Sequence, residues 1–519
     1  MKRFSIKYAV AALAALWAVS ATAQTPQSDE YEQSCISIVV TAGASADGSV
    51  MTSHTCDGRL RTWIAVEPAR DYPSGARRDV RAGLARNEFP SDTAGVRVVG
   101  WIPQARHTYK FINAAYPCMN EKCLGIGETT FGGPDTLRSS NGIFLIEELQ
   151  AIALQRCSSA REAVQLMGSL AQEYGYIDGG ECLTVADPRE AWFFEIVGPG
   201  KGKKGAAWVA KRVPDGEVAV SANIPRIGAL ERENPDGFIC SDNVEKVAAE
   251  CGLWDGKSEF IFWKAFNCPF AKGRNFRERE FYVLNEVAPS LGLKYTDPEM
   301  PFSVRPEKKV TVKKMEAMLR ENFEGTEFDM TRNIKISADR KSPVANPWIT
   351  PDWRNTLNYI APGTVEFSRT VSVSWCAYST IIQLRADLPQ EIAGVCWFSF
   401  DNPGQSPHIP IFSGSTALPE GYDICGQKHY NPGCGLWKYR RANRLVTLHW
   451  QTLKEGFFKE LLSLEDAAVD EVARIQSCAG GVVPSAEELN SVTVRIDSIA
   501  SAKWSELEGR YWVEAWRGF

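Results

Sequence analysis

The residue best placed to do chemistry is Cys35. It heads the β-branched run Ile36-Ser37-Ile38-Val39-Val40 and follows a stretch that reads as removable. If processing makes Cys35 the first residue, one side chain and one backbone nitrogen supply two reactive groups. The thiol can attack a carbonyl, and the free α-amine, with a pKa of about 7.7–8.0, can take and return the proton. Three segments read as walls of one site around it: Cys35 with Ser53-His54-Thr55-Cys56-Asp57-Gly58, then Cys118-Met119-Asn120-Glu121, then Ala222-Asn223-Ile224-Pro225-Arg226-Ile227. Other chemistries lack their patterns. Gly43-Ala44-Ser45-Ala46-Asp47 misses the last glycine of a G-x-S-x-G elbow, Gly125-Ile126-Gly127 lacks the third glycine of a dinucleotide fingerprint, and neither H-E-x-x-H nor a Walker loop occurs. No C-x-x-C pair exists and the five histidines are scattered, so neither a metal site nor an organic cofactor is expected.

The stretch ahead of Cys35 has the form of an export leader. Met1-Lys2-Arg3 is basic, Ala9 to Ala21 is almost wholly apolar, and Ala21-Thr22-Ala23 is a small-residue cleavage site. The apolar run is short of the roughly 20 residues of a spanning helix, so residues 1–23 read as a signal peptide and stable membrane insertion is not expected. Gln24 to Ser34 is polar and reads as a propeptide, and the chemistry above requires a second cut between Ser34 and Cys35. The expected location is periplasmic or extracellular, and 14 cysteines suit an oxidising compartment. Cys118 with Cys123, Cys240 with Cys251, and Cys425 with Cys434 are candidate disulfides, with small buried thiols as the alternative. A net charge of -5 without a basic stripe argues against nucleic acid as a partner. No linker divides residues 35–519, which read as one unit.

The elements that must position Cys35 follow from hydrophobic period. Residues 36–41 and Ser49 to His54 form a hairpin about Ala46-Asp47-Gly48, which puts Asp57 at the same open end as Cys35. Thr62 to Val66, residues 192–196, 208–210, 218–221, 371–375 and 395–400 read as strands. A helical pattern is expected from Asn141, a second helix from Ser159 with Glu162 completing a capping box, a third over Met315 to Phe323 capped by Thr311, and a fourth over Glu455 to Ile475. The Pro403 to Pro410 stretch reads as a surface connection. Strands and helices segregated in this way make a layered α+β sandwich the economical architecture.

At this point the chain resembles peptidase family C69, the dipeptidases among the N-terminal nucleophile cysteine hydrolases, which are related to bile salt hydrolases and penicillin V acylases. The resemblance rests on Cys35 and its strand, Ala46-Asp47-Gly48-Ser49, Met119-Asn120-Glu121, Arg212-Val213-Pro214-Asp215 leading to Asn223, Leu384 to Pro389, and Gly394-Val395-Cys396-Trp397. It runs from Cys35 to at least Gly421. It implies a four-layer αββα sandwich, Cys35 as nucleophile, Asp57 orienting the nucleophile and its amine, and Asn120 and Asn223 contacting the oxyanion or the amine. His54 departs from the pattern, because many relatives carry arginine there. A supporting arginine is expected at Arg274 or Arg277. Plainer readings stay open: Asp57 and Asn120 as turn residues, and Asn223 as a cap on its strand. The function so implied is an exported cysteine dipeptidase acting on short peptides. A non-peptide amidase, or an extracellular binding protein with a degenerate site, is the alternative.

Overall fold

The computed structural model describes residues 35–88, 90, 94–267, 274–335, 343–477 and 481–515. The expected signal peptide (1–23) and propeptide (24–34) lie outside the described residues. The chain forms two large antiparallel sheets and a set of helices. In the seven-stranded sheet, β1 (Ser37–Val40) and β2 (Val50–Asp57) lie side by side at the centre. Val218–Ser221 flanks β1, and Cys376–Leu384 flanks β2 along its full length. The eight-stranded sheet is centred on Gly125–Gly132, Gly180–Ala186 and Ala191–Val197.

The two sheets meet through the inner faces of β1, β2 and Gly125–Gly132, and side-chain alternation explains how. Ile36, just ahead of β1, and Ile38 and Val40 on it pack outward against Val283, Leu284 and Val287 of the Arg274–Val287 helix and Met315 of the Val312–Leu319 helix. Ser37 points the other way and donates to the Glu128 carbonyl at 3.1 Å. Thr52 meets Thr184 at 2.6 Å, and Thr129 meets Ser221 at 2.6 Å. The second sheet likewise turns Leu183, Val185, Trp192 and Phe194 outward onto Leu149, Ile152, Val164 and Met167 of the Ile146–Arg156 and Ala160–Tyr174 helices. Small polar residues fill the inter-sheet layer because the backbones approach closely there. A Cβ on Gly127 would stand 2.3 Å from the Ser53 carbonyl oxygen and 2.6 Å from Thr184 Oγ1, so only glycine fits.

Several expectations need correction. Residues 371–375 are not a strand, and the strand starts at Cys376. Ser372 instead ties its N–H and hydroxyl to the Arg320 and Glu321 carbonyls, which competes with ladder pairing. The 403–410 stretch is buried, not on the surface, and Gln405 and Ser406 hydrogen-bond Asn443 of the Gly435–Leu448 helix. At Ser159 the cap is half the expected box: its hydroxyl accepts from Glu162 N, but the Glu162 carboxylate turns to Ser158. A complete box stands at Ser485 and Glu488, starting the Ala486–Glu514 helix. All twelve described cysteines are thiols, so none of the three near pairs is joined, and Cys118 instead approaches Cys396 at 3.9 Å.

Candidate active site

Cys35 is buried at the head of β1, pinned by its neighbours' backbone. Ile36 N–H donates to Thr55 Oγ1 at 3.0 Å, Ile38 N–H to Ser53 Oγ at 2.9 Å, and Thr55 N–H to the Ile36 carbonyl at 3.0 Å. The hairpin therefore returns β2 beside Cys35 and brings Asp57 close enough for its charge to act on the thiol. The Asp57 carboxylate is buried and held through Oδ2 by Arg369 at 2.7 Å and the Thr55 hydroxyl at 3.1 Å. Its Oδ1 has no hydrogen-bond partner among the described residues.

A second arginine fixes the other side. Arg279 is buried on the helix behind β1, and it donates to the Cys35 carbonyl at 2.8 Å, the Ala222 carbonyl at 3.1 Å and Asn223 Oδ1 at 2.8 Å. Burial and the nearby Arg369 charge pull its pKa well below the usual arginine value, with Asp57 opposing them. Asn223 follows its strand in a left-handed conformation, φ 63°, which asparagine tolerates better than most residues. Its Nδ2 donates to the Thr130 carbonyl at 2.5 Å, which leaves a second N–H on that nitrogen.

Across the inter-sheet layer, Cys35, His54 and Glu128 bring one donor atom each to within 4.8 Å of one another. His54 Nδ1 sits 2.8 Å from the Glu128 carbonyl and 3.3 Å from the Glu128 backbone nitrogen, and the shorter contact, to an acceptor, selects the tautomer in which Nδ1 carries the proton and donates to the carbonyl. That leaves Nε2, which is buried and without a partner among the described residues. Burial lowers the His54 pKa to about 4, so the imidazole is neutral at pH 7. Burial raises Glu128 to about 7, and Glu181, hydrogen-bonded to it and also buried, is pushed well above the carboxylate range, so the pair holds a proton at neutral pH. The Cys35 thiol is itself raised well above 9 by burial first, then by the charges of Glu128 and Asp57.

Of the four expected site residues, Cys35, Asp57 and Asn223 come together and Asn120 does not join them. The Asn120 side chain has no capacity left for a substrate. Nδ2 donates to the Leu154 and Cys157 carbonyls at 2.8 and 2.9 Å, and Oδ1 accepts from Lys122 and Leu124 N–H, both at 3.0 Å. It closes a turn and anchors the end of the Ile146–Arg156 helix, the plainer of its two readings. The supporting arginine is Arg279, two residues beyond Arg277, whose guanidinium donates to the Pro298 carbonyl. Helical period carries a signal for this: 279 falls on the buried face with Val283 and Val287. Arg369 and Glu128 were also missed. Glu128 left a trace, an acid inside the run Gly125-Ile126-Gly127-Glu128-Thr129-Thr130-Phe131 that otherwise reads as buried strand. Arg369 lies in an irregular segment and left none.

Residues 34–459 match peptidase family C69, and the chain belongs to that family. It is accordingly a peptidase, a hydrolase by class. Curated relatives span nearly its whole length. A probable dipeptidase of Latilactobacillus sakei is 24% identical over 457 residues, covering 85% of this chain and 86% of the relative. A probable dipeptidase B of Streptococcus pyogenes serotype M1 is 24% identical over 471 residues, 87% and 85% of the two chains. A probable dipeptidase of Salmonella dublin is 24% identical over 446 residues, 83% and 90%.

Proposed function

We propose that this chain is an exported cysteine dipeptidase, with the four-layer αββα sandwich of N-terminal nucleophile hydrolases, in which Cys35 attacks after residues 1–34 are removed. The observation that carries the reading is the setting of Cys35: a buried thiol beside Asp57, a carbonyl fixed by Arg279, and a buried Asp57 carboxylate oxygen with no hydrogen-bond partner among the described residues. The names of the relatives support dipeptides as substrates. Two facing antiparallel sheets with helices on their outer faces support the sandwich.

A thiol so raised is neutral at pH 7, so a base must take its proton as the carbon–sulfur bond forms. The freed α-amine of Cys35 takes it, oriented by the Asp57 carboxylate that Arg369 holds. Sγ adds to the scissile carbonyl, and the remaining Nδ2 hydrogen of Asn223 receives the oxyanion. The amine returns the proton to the leaving nitrogen as the carbon–nitrogen bond breaks. Water then adds to the thioester carbonyl as the same amine takes its proton, and the amine passes that proton to Sγ as the carbon–sulfur bond breaks and the acid product leaves. No step uses a metal or organic cofactor.

The test is the N-terminus of exported, active protein, read by intact mass and N-terminal sequencing and paired with Cys35→Ser. The expected result is a chain beginning at Cys35 that loses dipeptide hydrolysis on substitution. Active protein that stably begins at Gln24 would overturn the mechanism.

A further inference from the structure

A cavity of about 980 Å³ opens where β2 ends. Gly58, which directly follows Asp57, forms part of its wall, so the cavity starts at the residue next to Asp57. Its lining carries six arginines and one lysine, and no aspartate or glutamate among the described residues. Internal pairing answers only part of this charge. Arg440 and Arg444 share Asp401, at 2.6 and 3.8 Å, and Lys428 takes Glu88 at 3.1 Å. Arg61 is buried over the Trp63 ring at 3.6 Å and donates to neutral groups, Asn87, Asn113 and the Ala114 carbonyl. Arg59 and Arg86 are exposed and form no ion pair among the described residues. Leu60, Phe367 and Trp375 add a low-dielectric apolar wall beside these cations, which concentrates their field.

Building on the peptidase reading above, we propose that the preferred substrates are acidic: short peptides with a carboxylate side chain, held in this cavity while their amide bond meets Cys35. A guanidinium fork matches a carboxylate in two parallel hydrogen bonds, and the exposed Arg59 and Arg86 have no carboxylate of this chain paired with them among the described residues. A cavity of this size lies at the upper end of small-ligand sites, which leaves room for a charged side chain beside the peptide unit.

The test uses protein with its mature N-terminus. Rates are measured on Ala-Glu and Glu-Ala against the isosteric Ala-Gln and Gln-Ala, and on Ala-Lys. Binding is measured by calorimetry with uncleavable reduced-amide analogues of Ala-Glu and Ala-Gln. A preference for the acidic peptide of about tenfold or more in kcat/KM is expected, the worth of one charge-assisted hydrogen bond. It should fall toward parity in Arg59→Ala/Arg86→Ala and shrink at high salt. Equal binding of the two analogues, or preferred cleavage of Ala-Lys, would overturn the inference even if dipeptides are cleaved. Preferential binding of the acidic analogue by a protein that cleaves no peptide would instead overturn the peptidase reading and leave the anion preference of the cavity standing.

Discussion

Replacing Arg369 with methionine should damage both the fold and the site, and the structure sets the size of the effect. Arg369 and Asp57 are each 1% exposed, with Nη2 and Oδ2 2.7 Å apart. Methionine keeps most of the volume and removes the charge, leaving a buried carboxylate whose Oδ2 retains the Thr55 hydroxyl and whose Oδ1 already lacks a partner among the described residues. Breaking a buried pair from one side costs about 3–5 kcal/mol, whereas removing both charges is often near neutral. Arg369→Met should therefore lose about 3–5 kcal/mol at neutral pH, and Asp57→Asn added to it should recover most of that loss without restoring hydrolysis. Equilibrium urea unfolding of wild type, both single variants and the double variant, followed by tryptophan fluorescence, gives the coupling directly. A cost below about 1 kcal/mol for Arg369→Met, the range of an exposed pair, would refute the reasoning. So would a double variant no more stable than Arg369→Met alone.

Three further outcomes follow from the same geometry. Burial holds His54 at about 4 against an ordinary value of about 6.5, so its contribution to stability is lost as pH falls between those values, by up to about 3 kcal/mol. Glu128, raised to about 7, acts oppositely: the folded state binds a proton that the unfolded chain releases, so its contribution is lost as pH rises from about 4.5 to 7. His54→Gln should expose the Glu128 trend as a decline in stability toward pH 7, and stability–pH profiles parallel to wild type would contradict this. Gly127→Ala should cost about 1–3 kcal/mol or more by prising the sheets apart at Ser53 and Thr184, and a wild-type melting temperature would show the close approach to be soft. Asn223→Gly relieves a left-handed backbone and loses two hydrogen bonds, terms of about 1 kcal/mol each that oppose one another. With two such terms against one, stability should fall by about 1 kcal/mol while kcat falls about 100- to 1000-fold, and an unaltered kcat would remove Asn223 from the oxyanion role.

The sequence by itself determined what depends on near neighbours. The β-branched run after Cys35, the turn at Asp47-Gly48 and the strand-like stretch from Ser49 specify a hairpin whose open end holds a cysteine and an aspartate, because strand period and turn chemistry are local. The Thr311 cap, whose side chain accepts from Lys314 N, was legible for the same reason. Tertiary structure alone decided which distant groups reach that open end. Arg279 and Arg369 lie 244 and 334 residues beyond Cys35 in the chain and converge on it only because one helix packs behind β1 and one irregular segment runs beside Cys376–Leu384. Asn120 shows the converse: its residue type suited an oxyanion donor, but the backbone groups of a tight turn and a helix end took all four of its hydrogen bonds. The cationic cavity was equally out of reach of the sequence. Its arginines are spread from residue 59 to residue 444, and a charge dispersed along a chain of net -5 becomes a concentrated field only once folding gathers it around one apolar wall.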